Sequence, residues 1–381
     1  MSLEPETGKM QRGRKALQLW RGVTAAQALF LLVWYSGLLP AAWVEQVFSR
    51  GWYRIMLLFL PRLSGWSSYS LFIFLIPLAL LALAGVSVWI WRRSAPYPPI
   101  RRSGAVLSIW LLVSINTVFC FVVVWGGGYQ RTPLKVRLAL DGVQPAPGEL
   151  MRIAETALQM VRDHAEPAVG RDRNAAIAAI ARRMAELTAG WDGRALVLPV
   201  YVKRTPPGVF LVNGTAGMCS PFTLEAQVDG GLPDAAFVGV ASHELAHLAG
   251  NCPEDEASLV GYLAGLEADH PFARYAVALR LFQDIAGNLP RADRDRLHEA
   301  LPGVAKDDIR LAREAGRRYR IAAARKVSQR AYNQYLKSQG VESGLKNYGE
   351  VTTLFVQAWR KGLAPAIAPM QPAAGGVAAA N

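Results

Sequence analysis

The sequence predicts a mainly helical α+β fold in which three N-terminal transmembrane helices precede a globular domain with a small β-sheet. Three observations predict it. Three long runs in the first third carry no charge, two histidines flank a glutamate at helical spacing, and short apolar stretches broken by glycine and proline lie just before that pair.

The uncharged runs set the membrane helices. Between Arg21 and Glu45 lie 23 such residues, between Arg62 and Arg92 29, and between Arg102 and Arg131 28. A hydrocarbon core of about 30 Å needs about 20 helical residues, because only a helix satisfies its own backbone there. Spans are therefore expected at about 22–44, 66–91 and 104–126. The first is long for a signal peptide and two more follow it. Between the first two, Ile55–Leu60 is apolar but short, lies between Arg54 and Arg62, and reads with Trp52 and Tyr53 as an interfacial segment.

The formal net charge of +13 is partly explained by these spans. Lys9, Arg12, Arg14, Lys15 and Arg21 precede the first, and Arg92, Arg93, Arg101 and Arg102 separate the second from the third. Basic flanks stay on the cytoplasmic side. The N-terminus is thus expected inside and everything after Gly126 outside, with Arg50, Arg54 and Arg62 arguing mildly the other way. The expected partner is the lipid bilayer; no nucleic-acid-binding signature accompanies the charge. Residues 1–130 read as a membrane domain, 131–363 as an extracytoplasmic domain, and 364–381, rich in alanine, proline and glycine, as a disordered tail.

In the second domain, apolar residues recur at helical spacing over 148–165 and 172–189. Extended stretches follow at 195–202, 209–212 and 222–228. Residues 234–249 return to helix with Asp234 as N-cap, and 254–362 are nearly all helical. Cys219 and Cys252 form a candidate disulfide outside the cytoplasm.

Ala241-Ser242-His243-Glu244-Leu245-Ala246-His247 carries the chemistry. Residues four apart share a helix face, so His243 and His247 can hold one Zn²⁺ ion. Glu244 stands where its carboxylate can take a proton from a zinc-activated water and pass it to a leaving amine. An open catalytic site needs a third ligand. Gly250 can end the helix in a left-handed conformation, Pro253 suits the first turn of the next, and the fold-back brings Glu254, Asp255 and Glu256 toward the histidines. Glu254 is the first choice of ligand and Glu256 the second.

Glu254-Asp255-Glu256-Ala257-Ser258 resembles the glutamate helix of gluzincin peptidases, in which the first glutamate binds zinc and a later Asp or Asn supports a histidine. The resemblance selects Glu254 and puts Ser258, a departure, in the supporting place. The whole arrangement of three spans, Pro221-Phe222-Thr223-x-Glu225, HELAH-x-x-Gly250 and Glu254-Asp255-Glu256-Ala257 resembles a bacterial membrane family catalogued as a domain of unknown function and regarded as metallopeptidase-like. It implies a zincin-like metallopeptidase domain in the bacterial inner membrane. It supplies no substrate.

In zinc peptidases a strand upstream of the metal helix commonly binds substrate backbone, which points to Thr223, Leu224, Glu225 and Ala226. Arg274, Tyr332 and Tyr348 are candidates to stabilise an oxyanion. The function expected is hydrolysis of peptide bonds in extracytoplasmic polypeptides. The alternatives are a zinc hydrolase or amidase acting on cell-envelope material, or a non-enzymatic membrane protein with a structural zinc, in which Glu244 has no use as a base.

Overall fold

The structure is a computed structural model that describes residues 4–165, 170–339 and 347–367, with side chains from residue 18 in its first helix and from residue 350 in its last. Helix α1 (Glu4–Tyr35) stops well short of the expected span end at residue 44. Gly37 takes a left-handed φ of +75°, and Pro40 has no N–H to continue the ladder. The short α2 (Ala41–Trp43), a π-helical stretch (Val44–Trp52) and α3 (Tyr53–Ser64) follow without a break. Helices α4 (Phe72–Arg93) and α5 (Pro99–Val124) are long and apolar enough to cross a membrane, and almost none of their apolar surface is buried within the chain. Helix α4 starts six residues later than the expected 66, because Tyr69 bridges to Arg204 and the Ser70 N–H donates to the Arg204 carbonyl. Helix α1, with Gln18, Arg21 and Gln27, is less apolar; it packs on α5 through Phe30 and Phe119, rings 5.3 Å apart.

The 44–64 segment folds onto the globular part. Its inner face buries Tyr53, Leu57, Pro61 and Ser64, at helical spacing. Arg131 reaches both oxygens of Glu45, at 2.7 and 2.8 Å, and also Asp192 at 3.2 Å. Burial alone would raise the Glu45 pKa, but the Arg131 hydrogen bonds and charge hold it at about 2. Arg54 pairs with Asp192 at 2.8 Å, and the Tyr53 hydroxyl donates to the Leu248 carbonyl at 2.9 Å. These contacts cross residue 130, so the segment packs with the globular part despite its place in the sequence.

After the short α6 (Leu134–Arg137) come α7 (Pro147–His164) and α8 (Arg173–Asp192), then three strands, β1 (Lys203–Thr205), β2 (Gly217–Cys219) and β3 (Ala226–Asp229). The remainder is helical: α9 (Asp234–Leu248), α10 (Glu254–Leu266), α11 (Pro271–Ala286), α12 (Arg291–Glu299), α13 (Gly303–Tyr319), α14 (Ala322–Ser338) and α15 (Asn347–Arg360). Pro233, not Asp234, caps α9; Asp234 is its first residue and pairs with Arg173 at 3.3 Å. The core is built on α9, α10 and α11, whose buried faces include Phe237, Leu245, Leu263, Tyr275 and Phe282.

In the sheet β3 is central, parallel to β1 (Lys203 opposite Gln227) and antiparallel to β2 (Cys219 opposite Ala226). The expected strand at 209–212 is a turn instead. The N–H groups of Gly208, Phe210, Leu211 and Gly231 all donate to the buried Asp229 carboxylate, so they have no ladder to join. Residues 195–202 pair with no strand among the described residues. Their carbonyl and side chain bonds go to the 44–64 segment: Arg54 donates to the Ala195 carbonyl, and the Tyr201 hydroxyl to that of Pro61. The stretch 222–225 is the turn into β3, with fully buried Leu224 at φ +49°. Cys219 and Cys252 are both buried free thiols, so the candidate disulfide is not formed. The tail does not fray at once: Ala364 and Ile367 are buried, and the Trp359 indole donates to the Ile367 carbonyl at 2.8 Å. Residues 368–381 lie outside those described.

Candidate metal centre

Helix α9 carries both histidines on one face, and the turn after it returns the chain at once. Gly250, at φ +92°, is in the left-handed region that ends helices cheaply only for glycine. Pro253 then caps α10, and Glu254 is the first helical residue. Five residues therefore separate the two helices, and Glu254 lands on the histidines.

One donor atom each from His243, His247 and Glu254 lies within 4.8 Å of the others. His243 Nε2 is 3.0 Å from Glu254 Oε2, and His247 Nε2 is 3.7 Å from Oε1. Donors about 2.0–2.1 Å from a shared zinc stand about 3.3 Å apart at tetrahedral angles, which the two histidine–glutamate separations match to within about 0.4 Å. The far nitrogens are fixed as metal-binding histidines require. His247 Nδ1–H donates to the Asn251 carbonyl at 2.8 Å, which leaves Nε2 to face Glu254. His243 Nδ1 and the Ser258 hydroxyl share a 3.0 Å hydrogen bond, the supporting place expected of Ser258.

All four groups are buried, and the electrostatics follow. Burial favours neutral imidazole at His243, lowering its pKa to about 4. At His247 burial is outweighed by the Glu254 carboxylate, and the pKa rises to about 9. Burial opposes the Glu254 charge, but the two histidines hold its carboxyl well below the usual range. Glu244 is pushed up to about 8 by burial, with His247 and Arg280 pulling the other way.

The three donors and Glu244 line a cavity of about 840 Å³. One wall is the 213–219 segment with β2, another is α14 with Ser328, Tyr332 and Tyr335, and a third is Phe121, Trp125 and Tyr129 at the end of α5. Gly217 is forced by this packing: a Cβ there would sit 2.7 Å from Glu244 Oε1 and 2.8 Å from the Gln227 carbonyl.

The remaining expected residues divide sharply. Tyr332 lines the cavity, and its hydroxyl donates to Glu254 Oε1. Arg274, on α11, is not among the residues lining the cavity, and its Nε donates to the Ala268 carbonyl just before that helix at 2.7 Å. Tyr348 is the second residue of α15, and its side chain lies outside those described. The carboxylate of Glu256 accepts the Leu134 N–H on the far side of α10, away from the donors.

The expected substrate strand is also misplaced. Ala226 belongs to β3, whose two sides are taken by β1 and β2, so no further chain can pair with it. Thr223 bonds to Ser220, Leu224 is fully buried, and Glu225 pairs with Lys203 at 3.2 Å. Among the described residues the outer edge of β1 is taken by residues 68–70, and no strand pairs with the outer edge of β2, whose Gly217, Met218 and Cys219 line the cavity.

Arg280 was missed by sequence reasoning. It lines the cavity and donates to the Gly239 carbonyl at 2.8 Å. A lone arginine in the apolar run Ala278-Leu279-Arg280-Leu281-Phe282 was the available signal.

The chain matches, over residues 48–356, the family described as a protein of unknown function (DUF3810), and it belongs to that family. No curated protein and no solved structure matches it.

Proposed function

We propose that the chain is a membrane-anchored zinc metallopeptidase that hydrolyses peptide bonds of extracytoplasmic polypeptides, with Glu244 as general base. The observation that carries the reading is the convergence of His243, His247 and Glu254 beside a buried, otherwise unneeded Glu244. A purely structural site has no use for that carboxylate. Zinc, when bound, supplies Lewis acidity to a water and to the scissile carbonyl. Glu244, whose burial raises its proton affinity, takes the proton from the attacking water and delivers it to the amine as the C–N bond breaks. The water oxygen stays on the carbonyl carbon. Tyr332, whose hydroxyl donates to Glu254 Oε1, would serve the developing oxyanion by turning that O–H away from the carboxylate once zinc holds it. An extended polypeptide adding to the free edge of β2 brings its backbone along Glu244, which favours a peptide over other envelope substrates.

The same reading makes α1 a third membrane helix beside α5, with Leu29 and Leu32 facing outward. Basic flanks put the N-terminus in the cytoplasm and residues 131–363 outside the inner membrane.

Substitution separates the parts. His243→Ala, His247→Ala or Glu254→Ala should each strip zinc from the purified protein. Glu244→Gln should keep zinc while cleavage of a peptide library falls by about 10²–10⁴-fold. Full activity in Glu244→Gln would sink the mechanism, and wild-type protein that takes up no zinc would sink the metal centre.

A further inference from the structure

The end of α5 walls the cavity, and the start of α4 packs behind that wall. Trp125 is the residue just past α5, and its ring packs on the His247 imidazole with centroids 5.9 Å apart. Its indole N–H points to the His247 carbonyl, 3.5 Å away. On the other side, Phe72, the first residue of α4, stacks on Phe222 of the cavity wall at 6.0 Å. A spanning α5 has its apolar length above Arg101 and Arg102, so Trp125 falls where tryptophans gather, at the edge of the hydrocarbon.

The 44–64 segment marks the same level. The indole of Trp52 donates to the Val123 carbonyl in the last turn of α5, at 2.8 Å. From there Trp52, Ile55, Phe59, Leu63 and Trp66 form an exposed apolar stripe at helical spacing, on the face of α3 opposite its buried one. Phe59, Leu63 and Trp66 are 62%, 72% and 79% exposed, which a water-facing helix would not sustain as a contiguous row. A helix apolar on its outer face at the level of a span's end lies in the bilayer interface.

We infer that the metal cleft opens at the bilayer surface, between the points where α4 and α5 leave the membrane, and that its substrate is the short stretch of a bilayer-anchored polypeptide next to its anchor. The inference rests on the peptidase reading for its substrate half and on geometry alone for its location half. Trp125 touches a metal ligand, so the scissile bond lies on the order of 10 Å from the hydrocarbon edge. At about 3.3–3.6 Å per extended residue, that is about three residues of chain.

Two experiments on the full chain, zinc-loaded in phosphatidylethanolamine–phosphatidylglycerol vesicles, test the two halves. In the first, a peptide sequence cut by the detergent-solubilised protein is joined to a hydrophobic membrane helix through Gly/Ser spacers of about 3, 10 and 30 residues. Surface concentration is alike in all three. Cleavage should be fastest with the shortest spacer and fall at least about tenfold by the longest, a discrimination of about 1.4 kcal/mol. Equal rates, or a preference for the long spacer, would overturn the substrate class and leave peptidase activity standing. In the second, a nitroxide on Phe222→Cys in a Cys120→Ala background reports depth without any catalysis. Contact with lipid at headgroup level is expected, whereas a label bathed only in bulk water would overturn the location. A label at headgroup depth with no peptide cut in either format would sink the peptidase reading and the substrate class together.

Discussion

At the scale of single residues, the site is a contest for one proton. His243, His247 and Glu254 are three donors facing one point, and without a cation the buried carboxylate keeps a proton on His247, whose pKa sits at about 9. A divalent ion displaces that proton. Zinc binding at pH 7 should therefore release about one proton or more, read by calorimetry in buffers of different ionisation enthalpy. The apparent affinity should weaken by up to about tenfold for each pH unit below 9, since ligands must be deprotonated to bind. Glu244→Gln removes that carboxyl's own contribution and isolates the histidine's. Binding at pH 7 with no proton uptake or release would contradict the protonated pair.

At the scale of elements, what was legible in the sequence was local and what was not was tertiary. His243, Glu244 and His247 needed only helical spacing, and the approach of Glu254 needed only a glycine and a proline in a five-residue turn. No local pattern shows that Asp229 takes up four N–H groups and dissolves a strand, nor that β3 lies between β1 and β2 and hides Ala226. Nor does one show that residues 44–64 dock on α8 through a buried charge cluster. That docking is testable. Arg131 holds Glu45 and Asp192 and also donates to the Gly250 carbonyl in the turn between the metal helices, at 3.3 Å. Arg131→Met takes one arginine from each of two buried carboxylates, which keep Arg50 on Glu45 and Arg54 and Arg137 on Asp192. The loss should therefore fall below the about 3–5 kcal/mol of a fully broken buried pair. The variant should melt earlier in detergent and bind zinc more weakly. Acid should act on the same cluster in the wild type. The folded pKa of Glu45, about 2, lies below its ordinary 4.5, so its contribution is full above pH 4.5 and is lost as pH falls toward 2. The difference in melting temperature between wild type and Arg131→Met should thus shrink across that window. An undiminished difference at the acid end would assign the effect to packing rather than charge.

At the scale of the whole molecule, the class of substrate in the proposed function depends on which side of the membrane carries α9. Two helices, α4 and α5, run antiparallel with a short link, Ser94–Pro98, at one end and the metal cavity at the other. The link is flanked by Arg92, Arg93, Arg101 and Arg102, and Arg102 sits over the Trp91 ring at 4.2 Å, an arrangement suited to an interface. On the proposed topology positive charge would retain this loop in the cytoplasm, and the opposite end, with Trp125 and His247, would be carried outside. In intact cells a membrane-impermeant maleimide should label Val143→Cys, an exposed position beyond α5, and spare Ser94→Cys, both in a Cys120→Ala background. Permeabilised cells should show both labelled, because the reagent then reaches both faces, over a low background from the buried Cys219 and Cys252. Labelling of Ser94→Cys with protection of Val143→Cys would invert the chain. The metal centre would keep its chemistry, but its substrates would then have to be cytoplasmic polypeptides, and the basic loops would need another explanation than orientation.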